Sequence, residues 1–298
     1  MNHSLPSILS MRNGIAGAAT AMFLVGTLAG VSGLIGSYPV YGGQAVRYLA
    51  AAAVLLVITR ALGLRFVRLT RRETLYLGGL TLLGLVIFNV CVVESTRASG
   101  PALVGTVLGT VPLALALAGG RPAPRLLVGA SVVVAGATLA TGLGSGNPTG
   151  LLWALGALVG EVSFSMLAIP LLPKLGAIRV SAYSTALAVP MLAVIGLVKE
   201  GTAMFRVPSA AETLGFSYLA VVVTVGAFFL WYTSLPRLGP GLAGLFAGLI
   251  PVGAIVTGLL LGIATPSVYD LAGAGLVIAG ILVGLTARRS PGAVPVPG

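Results

Sequence analysis

Long apolar stretches alternate along this chain with short clusters of arginine, proline, glycine or asparagine, and the alternation runs almost from end to end. A helix needs about 20 mostly apolar residues to cross a hydrocarbon core of about 30 Å, and each stretch is close to that length. The interruptions predict ten membrane-spanning helices near residues 14–34, 41–59, 74–93, 101–118, 125–143, 150–169, 180–198, 213–235, 241–263 and 268–286. Arg12 ahead of the first stretch imitates a signal peptide, but 14–34 exceeds the usual apolar region of about 7–15 residues. It is read as the first helix. The proline-rich segment 290–298 has no pattern that packs and is expected to be a disordered tail.

Positive charge tests this map independently of hydropathy. The alternate connections on one side hold 13 Lys and Arg residues, and those on the other side hold only Arg97, Lys199 and Arg206. Cytoplasmic loops collect Lys and Arg, so a multi-pass protein of the cell membrane with both termini in the cytoplasm is expected. The net charge of +11 thereby reports topology, and nucleic acid is not needed as a partner to explain it. Tyr38, Tyr41, Trp153 and Tyr269 fall at outer helix ends and Tyr76, Tyr183, Trp231 and Tyr232 at inner ends, where interfacial aromatic belts are expected.

An internal repeat organises the helices. Gly100, Pro101, Leu103, Gly105, Gly109 and Pro112 recur as Gly239, Pro240, Leu242, Gly244, Gly248 and Pro251, each shifted by 139 residues. Gly129, Ala135 and Gly136 recur as Gly273, Ala279 and Gly280 at a shift of 144. Each half therefore holds five helices. Five is odd, so the second half enters the membrane from the opposite side. The fold class predicted is all-α and integral to the membrane, with ten transmembrane helices in two inverted five-helix repeats, 1–145 and 146–289. Pro112 and Pro251 sit about 12 residues into their spans and are expected to kink them. With Gly105, Gly109, Gly244 and Gly248 they form candidate gating elements, or else the glycines serve close packing alone.

The 5+5 layout, the Gly-Pro starts of the fourth and ninth helices, and the stretch Gly160-Glu161-Val162-Ser163-Phe164 leading to Ile169-Pro170-Leu171-Leu172-Pro173 resemble the EamA-like branch of the drug/metabolite transporter superfamily. The resemblance covers residues 12–287. It implies a secondary transporter with a central cavity between the halves, often an exporter of amino acids, other metabolites or drugs. Tryptophan is frequent in the corresponding part of the sixth helix of that family, where Gly160-Glu161 stands here.

Few residues could carry chemistry in so apolar a chain, with 57% hydrophobic and 8% charged residues. Glu161 lies about 16 Å into the sixth helix, where a charge is costly unless hydrated or paired. It either couples transport to a proton or glues helices together in protonated form. Arg47 lies about 9 Å into the second helix. It either faces the cavity, for Glu161 or a substrate carboxylate, or snorkels to the interface. Gln44 shares its face. Asn89 binds either substrate or another helix. Phe164 and Ser165, three and four residues after Glu161, are nearest its face, and Phe164 is a candidate cavity wall or core residue. Glu94 and Arg97 are expected to pair locally near the outer mouth.

His3 and Cys91 are the only residues of their types, so no disulfide, zinc site or histidine-based catalytic group is available within one chain. No cofactor is expected. A small-molecule substrate and the lipid bilayer are the partners implied, with the oligomeric state unspecified. An integral membrane enzyme would need converging acids, bases or metal ligands that this chain hardly offers. A channel is the other alternative, separable by saturation and counterflow. Reporter fusions after Arg60 and Arg125 should read cytoplasmic and one after Gly144 extracytoplasmic; a cytoplasmic signal at Gly144 would break the ten-helix scheme.

Overall fold

The computed structural model describes residues 8–142, 147–262 and 265–286; the expected tail at 290–298 and the junction between the halves lie outside them. Among the described residues there is no strand. Nine helices among the described residues are long and apolar enough to cross a membrane, and a tenth, Leu103–Ala118, is shorter. In chain order the spans are α1 Ile8–Ile35, α2 Val40–Ala61, α3 Arg71–Ser99, α4 101–118, α5 Pro124–Thr141, α6 Pro148–Met166, α7 Leu172–Glu200, α8 Ala210–Leu238, α9 Pro240–Leu260 and α10 Val268–Thr286. Short connections return the chain each time, so α1 begins and α10 finishes at one end of the bundle, the terminal end. The arginine-rich connections lie there, and Arg97, Lys199 and Arg206 lie at the opposite, distal end.

The 139-residue shift reappears in backbone detail that hydropathy does not reveal. The chain widens into a π-helix at Leu80–Ile87 inside α3 and again at Leu219–Gly226 inside α8. Thr70 and Glu73 form a capping box at the start of α3, and Ser209 and Glu212 form the same box at the start of α8. Each box satisfies two backbone N–H groups that would otherwise lack partners at a helix start. Gly100 and Gly239, ending α3 and α8, share the left-handed region at φ 77° and 75°, which glycine enters without a Cβ penalty. Since α3 starts at the terminal end and α8 at the distal end, equivalent devices occupy opposite ends. The repeats are inverted.

Packing follows the same exchange. α1 packs on α8 and α9 while α6 packs on α3 and α4; α2 meets α7, and α5 meets α10. The α5–α10 seam is built on glycine. A Cβ on Gly129 would fall 2.7 Å from the Gly280 carbonyl oxygen, and one on Gly136 would fall 2.7 Å from that of Gly273. Position rises along one helix as it falls along the other, so the two cross antiparallel. Because Gly129 and Gly273 are repeat equivalents, as are Gly136 and Gly280, one contact is the image of the other.

The prolines act differently from the expected mid-helix kink. In α4 the helix breaks between Pro101–Leu108 and Val111–Ala118, and Pro112 is the second residue of the new segment. In α9 a 3₁₀ turn at Leu245–Gly248 precedes Leu249–Leu260, where Pro251 is the third residue. A first-turn N–H has no acceptor within its own helix, so proline costs little there. The break itself is the conserved geometry of the two halves. Among the aromatic residues, Trp153 and Tyr269 are exposed as a belt requires, but Tyr38, Tyr41, Trp231 and Tyr232 are buried.

The seam yields a stability test. Gly280→Ala would place its Cβ against the Gly129 carbonyl oxygen and the Val133 nitrogen, both at 2.7 Å, whereas Gly275 has open space around it. Overpacking of this kind costs about 1–3 kcal/mol. Thermal unfolding in detergent should therefore show Gly280→Ala clearly destabilised and Gly275→Ala unchanged or more stable; equal behaviour would mean the seam is loosely packed.

Candidate functional site

A cavity of ≈ 340 Å³ opens between α1, α2, α3, α4, α6, α8 and α9, with no residue from α5, α7 or α10 in its lining. Its wall is mostly apolar and aromatic, including Met22, Phe88, Phe164, Phe228, Trp231 and Ile250. Gln44, Arg47, Asn89 and Glu161 also line it, which brings four of the six substrate-binding candidates, and Phe164 as a fifth, to one place. By helix rise, Gln44 lies about 6 Å from the distal end of its helix and Glu161 about 20 Å from that of its own. The cavity thus runs from the distal half of the bundle to a carboxylate below its middle.

Arg47 is only 6% exposed. Its Nε donates to Thr224 Oγ1 at 2.8 Å, its Nη1 approaches Gln44 Oε1 at 3.4 Å, and its guanidinium lies 5.4 Å from the centroid of the Tyr48 ring. No carboxylate neutralises it among the described residues, whose ion pairs are Arg97–Glu94, Lys199–Glu94, Lys174–Glu73 and Arg206–Glu212. Glu161 is absent from those pairs as well. The two charges share a cavity without touching each other. An isolated charge at membrane depth costs several kcal/mol, so Arg47 requires water or a counter-charge supplied from the cavity, and Glu161 requires the same in its ionised form.

The wall beside Glu161 is an aromatic cluster. Phe164 stands 4.8 Å from Phe228 and 5.0 Å from Tyr232, centroid to centroid. Asn89 Nδ2 donates to Tyr48 Oη at 3.1 Å and to the Leu85 carbonyl at 2.6 Å. Ser165 does not line the cavity. It is fully buried and accepts a hydrogen bond from Trp231 Nε1 at 3.2 Å, fixing the indole that forms the wall. Trp231 is accordingly a cavity residue, where the sequence pattern suggested an interfacial belt. Thr224, Tyr48, Phe88 and Phe228 are not marked in the sequence: Thr224 and Phe228 sit in apolar runs, and Tyr48 and Phe88 stand beside Arg47 and Asn89 without a pattern that distinguishes them.

Packed or hydrogen-bonded side chains lie toward both ends of the bundle. Toward the terminal end Leu115, Leu171, Leu235 and Leu245 are fully buried. Toward the distal end Tyr41 Oη donates to Glu94 at 2.6 Å, and the Glu94–Arg97 pair expected from sequence is present at 3.2 Å. Glu200, at the end of α7, accepts from the N–H groups of Tyr41 and Gly42 at 2.9 Å each, capping the start of α2 from the other half. Of the candidate gating glycines, Gly244 faces Leu115 and Gly248 faces Val133 and Val277, each without room for a Cβ, while Gly105 has looser surroundings and Gly109 lies against the turn before it.

Residues 148–286, which contain Glu161, Phe164, Thr224 and Trp231, match the EamA-like transporter family. The chain carries an EamA-like transporter domain. Similarity reaches through the first half as well. The chain is 25% identical over 291 residues to the uncharacterized transporter YetK of Bacillus subtilis (strain 168), covering 93% of this chain and 88% of that protein. A solved structure titled "Crystal structure of protein" superposes with a TM-score of 0.80 at 23% identity, over 94% of this chain and 98% of that one. That likeness concerns the fold. The match of residues 148–286 and the likeness to a transporter over most of the chain support a multi-pass membrane transporter, whose partners are a small molecule and the bilayer.

Proposed function

We propose that this transporter carries small polar solutes, zwitterions such as amino acids first, and exports them across the cell membrane by alternating access. The observation that carries the reading is the pair Arg47 and Glu161, residues of opposite charge type lining one cavity with no ion-pair partner on either among the described residues. A carboxylate on the guanidinium and an ammonium on Glu161 would complete both. Each contact would be charge-assisted and sheltered from water, where such bonds are strongest. The apolar and aromatic wall then takes the remainder of the solute.

The units that move are, in this reading, the halves 1–145 and 146–289, with both termini in the cytoplasm. Support comes from two latches related by the repeat. At the terminal end Glu73 of the first half binds Lys174 of the second at 2.6 Å; at the distal end Glu212 of the second half accepts from Ser37 of the first at 3.0 Å. Alternate opening would break one and keep the other. The helix breaks before Pro112 and Pro251, with Gly105, Gly109, Gly244 and Gly248 around them, supply equivalent flexible points in the two halves. Glu161 loads and releases the coupling proton as the cavity changes sides.

Transport by reconstituted vesicles, with labelled amino acids and a pH gradient, tests this. Glu161→Gln should abolish pH-driven transport and leave exchange in place, because the amide keeps hydrogen bonds but carries no titrating proton. Arg47→Lys should weaken carboxylate solutes about tenfold, near 1.4 kcal/mol, and affect cationic solutes less, since the planar fork is lost while the charge remains. Full activity and unchanged pH dependence in Glu161→Gln would make the carboxylate structural and end this mechanism.

A further inference from the structure

Arg47 does not hold its own orientation. Its Nε–H donates to Thr224 Oγ1, and that hydroxyl in turn donates to the Leu219 carbonyl at 2.9 Å. Leu219 is five residues back, the spacing of the π-helix Leu219–Gly226 in which both residues lie. A hydroxyl has one proton. With that proton spent on Leu219, Thr224 faces Arg47 as an acceptor only, which suits the Nε donor. Thr224 is fully buried and lies behind the guanidinium, outside the cavity lining.

A guanidinium offers a carboxylate two forked edges: the side edge, which uses Nε with one Nη, and the end edge, which uses both Nη atoms. Thr224 occupies Nε and so removes the side edge. Gln44 at 3.4 Å restrains Nη1 only weakly, leaving the end edge available to the cavity. We propose that Thr224 is a positioning residue that commits Arg47 to end-on recognition of a carboxylate, making the cavity select carboxylate solutes over their neutral amides. This rests on the reading of Arg47 as the substrate anchor. The π-helix is part of the device, because it sets the hydroxyl and its acceptor at the spacing used. The equivalent position of the first half is Leu85, which has no hydroxyl, so the device exists once.

The full-length protein supplies its own probe. Only Trp153 and Trp231 are present, and Trp231 lines the cavity, so in a Trp153→Phe background Trp231 fluorescence reports binding. Titrations use a panel of amino acids, each against its own amide. The background protein should prefer the acid. Thr224→Val, which keeps the shape and removes the acceptor, should reduce that acid-to-amide preference about tenfold while amide binding stays near its original value; Thr224→Ser should restore it. If Thr224→Val does not fold, Thr224→Cys, with its weak acceptor, carries the same expectation. An unchanged acid-to-amide ratio in the variant that folds, or an equal loss for acid and amide, overturns the positioning role while leaving Arg47 as the anchor. Absence of any acid preference in the background protein overturns the anchor itself, and the positioning role with it.

Discussion

Backbone contact between α5 and α10 is the interaction around which the two halves are arranged. Lipid chains are as apolar as the helices, so burial gives no drive for helices to meet, and close van der Waals approach has to do so. Gly129, Gly136, Gly273 and Gly280 remove the side chains that would keep the backbones apart. The antiparallel crossing that results is compatible only with an odd number of spans per half. It also has a spatial consequence: α5 and α10 are occupied with each other, and neither reaches the cavity. The solute space is left to helices whose mutual contacts are less intimate.

Those remaining helices face the opposite difficulty, because a cavity in a bilayer protein must expose polar groups without orphaning the backbone. Irregular backbone is tolerated at membrane depth only where protein or a water-filled space receives it. The break in α4 at Gly109–Thr110, the 3₁₀ turn in α9 and the π-helices in α3 and α8 all lie in spans that line the cavity. Regular helix is kept in α5 and α10, at the seam. Apart from the break at Gly176 near the start of α7, irregularity thus collects in helices that bound the cavity, as π-helical turns do at functional sites in general.

The division explains what the sequence could disclose. Span positions and the inverted repeat are written in residue composition and in the spacing of glycine and proline, both of which survive as linear patterns. Burial of Trp231 and Tyr232 was hidden because α8 continues to Leu238, so a tryptophan that resembled a belt residue lies about 10 Å inside the helix end. Ser165 was misplaced by helix rotation. From Glu161, three residues advance the face by about 300° and four by about 400°, so Phe164 and Ser165 diverge to either side of it, and only Phe164 reaches the cavity. The role of Thr224 depends on a π-helix inside the run Leu219–Gly226, which has the same hydropathy as any other apolar turn. No linear pattern marks it.

What makes the scaffold specific is where its symmetry fails. The capping boxes, the helix breaks, the left-handed glycines and the glycine seam all occur twice, and all of them concern the path of the backbone. The groups that could recognise a solute occur once. A symmetric set of charges would place like charges in one low-dielectric cavity, where repulsion and desolvation add. Opposite charges from different halves avoid that repulsion: Arg47 comes from the first half and Glu161 from the second. In the proposed reading they also give a solute a fixed polarity within the site, with its anionic end toward α2 and its cationic end toward α6. Holding Arg47 from α8, through Thr224, then ties the orientation of the first half's charge to the backbone of the second. If the halves move as proposed, the proposed anchor cannot stay undisturbed, and solute affinity would be coupled to the position of the halves through one hydrogen bond.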